Sequence, residues 1–166
     1  MTIPATLDLT GLTALITGAG STAGIGFASA QALGELGARV AITGTTARIH
    51  ERAEELRAGG IDATGFIARL ETAALVEAFG AALAAASIEP RILVNNAGMV
   101  AVSDGDLVSG DGLMSAADWD RSIAMNLTSA FLVTKLVLPG MRAAGWGRII
   151  TVSSVTGPVM ASRGDV

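Results

Sequence analysis

The sequence predicts an α/β fold, a doubly wound parallel sheet, on three observations. Short apolar runs alternate along the chain with longer segments of helix-forming residues. Glycines and small polar residues follow the first, fourth and fifth of those runs. Hydrophobic residues make up 51% of the chain and charged residues only 16%, with 21 Gly, as expected of a sheet buried on both faces and turned tightly at its strand ends. Strands separated by helices join through right-handed crossovers, and such a parallel sheet takes its ligands beyond the carboxyl ends of its strands.

The elements follow in order. Leu12 to Ile16 is a short apolar strand that runs into Thr17-Gly18-Ala19-Gly20-Ser21-Thr22-Ala23-Gly24-Ile25-Gly26. Phe27 to Leu36 then carries helix formers, and Gly37 closes the segment. Arg39 to Thr43 is the second strand, and Ala47 to Ala58 a charged amphipathic helix ended by Gly59-Gly60. Ala63 to Ala68 is the third strand and Thr72 to Ala86 an alanine-rich helix. Arg91 to Val94 is a buried strand leading straight into Asn95-Asn96-Ala97-Gly98. After a polar loop, Ala117 to Ala144 reads as one long helix, bent near its end by Pro139-Gly140, and Arg148 to Val152 is the fifth strand.

Several function classes are excluded on composition. With 11 Lys+Arg against 15 Asp+Glu, the net charge of −4 offers no broad basic surface for nucleic acid or anionic lipid. The expected partner is a small molecule. The absence of Cys removes disulfides, cysteine nucleophiles and thiolate metal sites. Met1 to Thr10 lacks a signal-peptide pattern, and Ala130 to Leu138 is far shorter than the roughly 20 apolar residues a bilayer requires, so the expectation is a cytoplasmic protein with no membrane span. Asp104, Asp106 and Asp111 invite a calcium reading, but Val108 stands at the third ligand position of an EF-hand pattern, and no metal site is expected. His50, the single histidine, falls in the charged helix and is expected at the surface.

The first loop has the chemistry of a pyrophosphate site. Glycines at Gly18, Gly20, Gly24 and Gly26 let backbone approach the anion closely, and the following helix points its amide hydrogens and the positive end of its dipole at it. At the end of the second strand, where NAD enzymes place an acidic residue for the ribose 2′-hydroxyl, the chain has Gly44. Thr45, Thr46 and Arg48 follow, and they would meet a 2′-phosphate with hydroxyl donors and a guanidinium. NADP is therefore expected over NAD, although Arg48 has a second reading as a solvated helix residue.

Thr17-Gly18 followed by Gly24-Ile25-Gly26, Asn95-Asn96-Ala97-Gly98, Asn126 within Met125-Asn126-Leu127-Thr128, and Gly147 to Gly157 together resemble the classical short-chain dehydrogenase/reductase family over nearly the whole chain. The likeness extends to its 3-oxoacyl-acyl-carrier-protein reductases. The resemblance implies a Rossmann sheet and an NADP(H)-dependent oxidoreductase. Hydride would pass between the nicotinamide and a carbonyl or alcohol carbon, the substrate being a small molecule or an acyl thioester.

It implies that Gly18, Gly20, Ser21, Gly24, Ile25 and Gly26, with Thr45, Arg48, Leu70, Asn96, Ala97 and Gly98, hold the cofactor. Ser154 aligns with the catalytic serine, with Ser153 as the alternative if the two exchange roles. Asn126 matches the helical Asn that holds a water in the proton relay. The loop departs from the family pattern by two extra residues between Gly18 and Gly24, so either residues are inserted or Gly20 takes the role of first glycine. Arg69 stands where the family has an Asp that accepts from the adenine amino group; either the register shifts or Leu70 and backbone hold the adenine.

The family's Tyr and Lys would fall beyond Val166. Tyr is absent from the chain, and its one lysine, Lys135, lies upstream on the long helix. The expectation is a single dinucleotide-binding domain over residues 1–166, incomplete at its C-terminal end, with about five strands and without the family's later ones. Such a chain would be inactive alone and would leave its last strand as an exposed edge. By resemblance the full-length protein is a homo-oligomer, a dimer or tetramer. A non-catalytic dinucleotide-binding or assembly module is the alternative.

Overall fold

The computed structural model describes residues 7–98 and 115–153, and all five expected strands lie within them. They are β1 (Thr13–Ile16), β2 (Arg39–Gly44), β3 (Ala63–Ile67), β4 (Ile92–Asn95) and β5 (Arg148–Thr151). The helices are α1 (Ile25–Glu35), α2 (Arg48–Ala58), α3 (Ala73–Ala85), α4 (Ala116–Ile123) and α5 (Ser129–Ala143). The strands form one parallel sheet in the order β3-β2-β1-β4-β5, in register Ile16 with Ile42 and Val94 with Ile150. The order reverses direction at β1, between β2 and β4. In open parallel sheets the ligand crevice lies beyond the carboxyl ends of the strands at such a reversal, which here are the ends of β1 and β4.

Adjacent residues of a strand face opposite ways, and the core divides accordingly. Ala14, Ile16, Val40, Ile42, Ile92 and Val94 pack with Ala30 of α1 and Ile49, Ala53 and Leu56 of α2. Leu15, Ala41 and Leu93 pack on the other face with Val76, Phe79 and Leu83 of α3 and Val133, Val137 and Met141 of α5. Both faces of the three central strands are thus covered, which is why their sequences are continuously apolar instead of alternating. β5 differs, with all four residues exposed.

The long helix is not uniform. Between α4 and α5 the backbone winds as a π-helical turn over Ala124–Thr128. Two side chains bond to carbonyls one turn back: Asn126 Nδ2 donates to Ser122 O at 3.0 Å and Ser129 Oγ to Met125 O at 2.6 Å. A side-chain donor that takes a helical carbonyl competes with the amide that would otherwise claim it, and the ladder slips by one residue. Pro139 is accommodated inside α5, which continues to Ala143, and the Arg91 guanidinium donates to Gly140 O at 2.5 Å. By length and composition the 28 residues Ala116–Ala143 could cross a membrane; here Val133, Val137 and Met141 lie in the core.

Candidate active site

The site is built around Thr17, the residue directly after β1, which is 2% exposed. Its Oγ1 accepts from the amides of Asn96 at 3.0 Å and Ala97 at 2.9 Å, and donates to Val94 O at 3.3 Å. One hydroxyl has one donor and two acceptor sites, so its capacity is fully used. The Asn96 side-chain amide returns the connection, donating to Thr17 O at 3.0 Å and Gly18 O at 2.9 Å. The loops after β1 and β4 are thereby clipped together.

This clip dictates where glycine is needed. Gly18 has φ +73°, and a Cβ there would fall 2.8 Å from the Ala97 Cα. A Cβ on Gly26 would lie 2.6 Å from both Asn96 Nδ2 and Gly18 O. Gly18 therefore holds the strained, close-approach position at the strand end. Gly20 has neither feature: a Cβ there meets no atom within 4 Å, which leaves open space above the loop. Of the two roles open for Gly18 and Gly20, the structure gives the close-packed one to Gly18. Ser21 is exposed, and its carbonyl accepts from Gly24 N at 3.1 Å to close a tight turn before α1. Ile25, at the first position of α1, leaves 62% of its surface exposed at the mouth.

Helix ends add the electrostatics. α1 starts at Gly24 with no side-chain cap and no acid in its first turn, and α2 starts at Ala47, also without a side-chain cap. Thr72 caps α3 and Ser115 caps α4. At α1 the first-turn amides keep their donors and the positive dipole end free for an anion, whereas at α2 the amides of Ile49 and His50 donate to Thr46 O at 3.2 Å and Ala47 O at 3.0 Å. Thr45, Thr46 and Arg48 are exposed at the start of α2, and Arg48 has no ion-pair partner among the described residues; Glu51, in the same turn, pairs with Arg52 at 3.6 Å.

Farther along the strand ends, Ala68 N donates to Gly44 O at 2.9 Å, which sets the start of the loop after β3 beside the end of β2. Leu70 turns into the core at 4% exposure, while Arg69 stays outside and pairs with Glu71 at 3.1 Å.

On the opposite side of the crevice, a Cβ on Gly98 would lie 2.8 Å from Asn126 Oδ1, so the π turn brings Asn126 against the loop after β4. Ser153 is exposed just past β5, whereas Ser154 and the Asp104, Asp106 and Asp111 loop lie outside the described residues. His50 is at the surface, as expected. No cluster of metal-ligating side chains occurs among the described residues.

Sequence reasoning missed Thr17 and Thr43 as site residues. Thr43 Oγ1 accepts from Gly18 N at 3.2 Å, and Thr43 O accepts from Ala19 N at 2.7 Å. The available signal was a threonine closing each of two otherwise apolar strands, since a buried hydroxyl needs a partner.

The glycine loop after β1, the threonines after β2 and the Asn96–Gly98 turn after β4 thus lie together along the carboxyl ends of adjacent strands. A protein-family model described as short chain dehydrogenase matches residues 12–164. The chain is 39% identical over 159 residues to a D-beta-hydroxybutyrate dehydrogenase of Cupriavidus necator, covering 93% of this chain and 57% of that protein. It is 39% identical over 152 residues to the 3-oxoacyl-(acyl-carrier-protein) reductase FabG of Pseudomonas aeruginosa, covering 91% of this chain and 58% of that one. A metagenomic short-chain oxidoreductase solved in complex with NADP superposes with a TM-score of 0.81 at 35% identity, over 94% of this chain and 68% of its own. The chain thus spans just over half the length of these two curated relatives.

Proposed function

Because the chain belongs to the short-chain dehydrogenase family, we propose that the protein is an NADP(H)-dependent oxidoreductase acting on a carbonyl or alcohol carbon. The carrying observation is the end of β2. Gly44 stands where an acid would select the 2′-hydroxyl of NAD, and exposed Thr45, Thr46 and Arg48 follow at the uncapped start of α2. The 2′-phosphate would sit on these groups, and the pyrophosphate on the loop from Gly18 to Gly26 and the first amides of α1. Asn96, Ala97 and Gly98 would border the nicotinamide side, while Leu70 would contribute backbone beneath the adenosine half. The bound cofactor supplies the hydride donor.

Asn126 and Ser154 are proposed as the catalytic groups this chain contributes. Asn126 stands against Gly98 with its side chain exposed, where it can hold a relay water. Ser154 would hydrogen-bond the substrate oxygen and steady the developing alkoxide. The 166 residues contain no tyrosine. Taken alone they would bind dinucleotide but lack the family's proton donor, a loss of roughly 10²- to 10⁴-fold in rate. A small-molecule carbonyl, or an acyl thioester of the kind the FabG relative's name describes, is the proposed substrate class. Cytoplasmic location and assembly into dimers or tetramers complete the proposal.

Fluorescence titration with NADPH and NADH tests the cofactor assignment. NADPH is expected to bind more tightly, and Arg48→Glu to weaken NADPH about tenfold or more while leaving NADH nearly unchanged, as for the loss of a charge-assisted hydrogen bond. Preference of the unsubstituted chain for NADH would overturn it.

A further inference from the structure

Arg69 is an unusual arginine in this fold. Its side chain is 67% exposed, yet its Nε and Nη2 both donate to one oxygen of Glu71, at 3.3 and 3.1 Å. Glu71 is itself only 18% exposed, and its second oxygen, Oε2, is buried with no hydrogen-bond partner among the described residues. A carboxylate drawn out of water whose ion-pair partner is one guanidinium holds that guanidinium firmly, because releasing it would leave the charge uncompensated. The result is a planar cation on a restrained stem with its outer surface open. An exposed arginine ordinarily keeps its rotamer freedom and gives it up on binding.

Its place in the fold gives that surface a ligand. If the pyrophosphate sits on the loop after β1 and the 2′-phosphate after β2, as proposed above, the strand order β3-β2-β1 would carry the adenosine half of a dinucleotide outward over β2 toward β3. The Ala68–Gly44 bond sets Arg69 at that end of the crevice. Arginine donates and cannot accept, so it cannot read the 6-amino group of adenine. Its plane can stack on the face of the base.

We propose that Arg69, restrained by Glu71, is a stacking platform for the adenine ring, so that this protein recognises the base by its face and not by its amino edge. The inference rests on the dinucleotide reading above. It has a consequence for specificity: purine identity is read weakly, because every purine presents a similar face.

Isothermal titration of the full chain with NADPH, NADH and the hypoxanthine analogue of NADPH tests it. The unsubstituted chain should bind NADPH and the hypoxanthine analogue within about threefold of each other. Arg69→Ala should weaken NADPH and NADH alike by about tenfold, the scale of one base-stacking contact. Arg69→Lys, which keeps the charge and loses the plane, should do nearly the same. Circular dichroism confirms that each variant folds.

A loss confined to NADPH would make Arg69 a phosphate ligand and overturn the proposal, as would unchanged affinities or a tenfold preference for adenine over hypoxanthine. Those outcomes leave the cofactor reading intact. Failure of the unsubstituted chain to bind either dinucleotide would sink both.

Discussion

At the scale of single residues, the Thr17 hydroxyl accepts two amide hydrogens and donates to a carbonyl, all inside the protein. Thr17→Val keeps the shape and strands the Asn96 and Ala97 amides. Urea denaturation should show a loss of about 2–3 kcal/mol, because each buried donor left without a partner costs its desolvation. Thr17→Ser should retain most of the stability, and an equal loss in both variants would refute the hydroxyl's role. The glycine loop between β1 and α1 was legible in the sequence. The division of labour among its glycines was not, since what separates Gly18 from Gly20 is the approach of Ala97, and no spacing rule encodes a neighbour about 80 residues away. Thr17 and Thr43 were overlooked for a related reason: a strand-end threonine reads as a β-former until its hydroxyl partners are known.

At the scale of elements, every strand and helix among the described residues was legible to within a residue or two, because apolar runs of strand length and alternating helical segments leave little ambiguity in this architecture. The π turn at Ala124–Thr128 was the exception. Side-chain donors from Asn126 and Ser129 decide it, and in sequence these look like two mildly unfavourable residues in a continuous helix. The edge strand was anticipated, and among the described residues it behaves as one: there β5 pairs only with β4, and Ile149 and Ile150 are 41% and 47% exposed. Ile150→Lys should therefore shift the denaturation midpoint very little, by less than about 0.5 kcal/mol. It should also reduce concentration-dependent association in sedimentation velocity, since charge on an edge strand opposes pairing. A large destabilisation would mean that β5 is packed more tightly than its exposure indicates.

At the scale of the whole molecule, stability is graded outward from β1. Leu15, Ile16, Ala41, Ile42 and Leu93 are fully buried, whereas β5 is exposed along its length. Hydrogen exchange should accordingly be slowest at the amides of β1, β2 and β4 and markedly faster at β5, and uniform protection across the five strands would contradict this gradient. The clip between the two loops also bears on the order in which the chain can take shape. Thr17 is made early, but its partners Asn96 and Ala97 lie 79 and 80 residues later. Contacts of such long range close slowly, after local helices and neighbouring strands have formed. During synthesis the first strand, its glycine loop and the helix behind it are all outside the ribosome well before the segment that fixes them. The loop nearest the N-terminus is thus one of the last parts of the molecule to acquire its final shape, fixed only when β4 has taken its place beside β1.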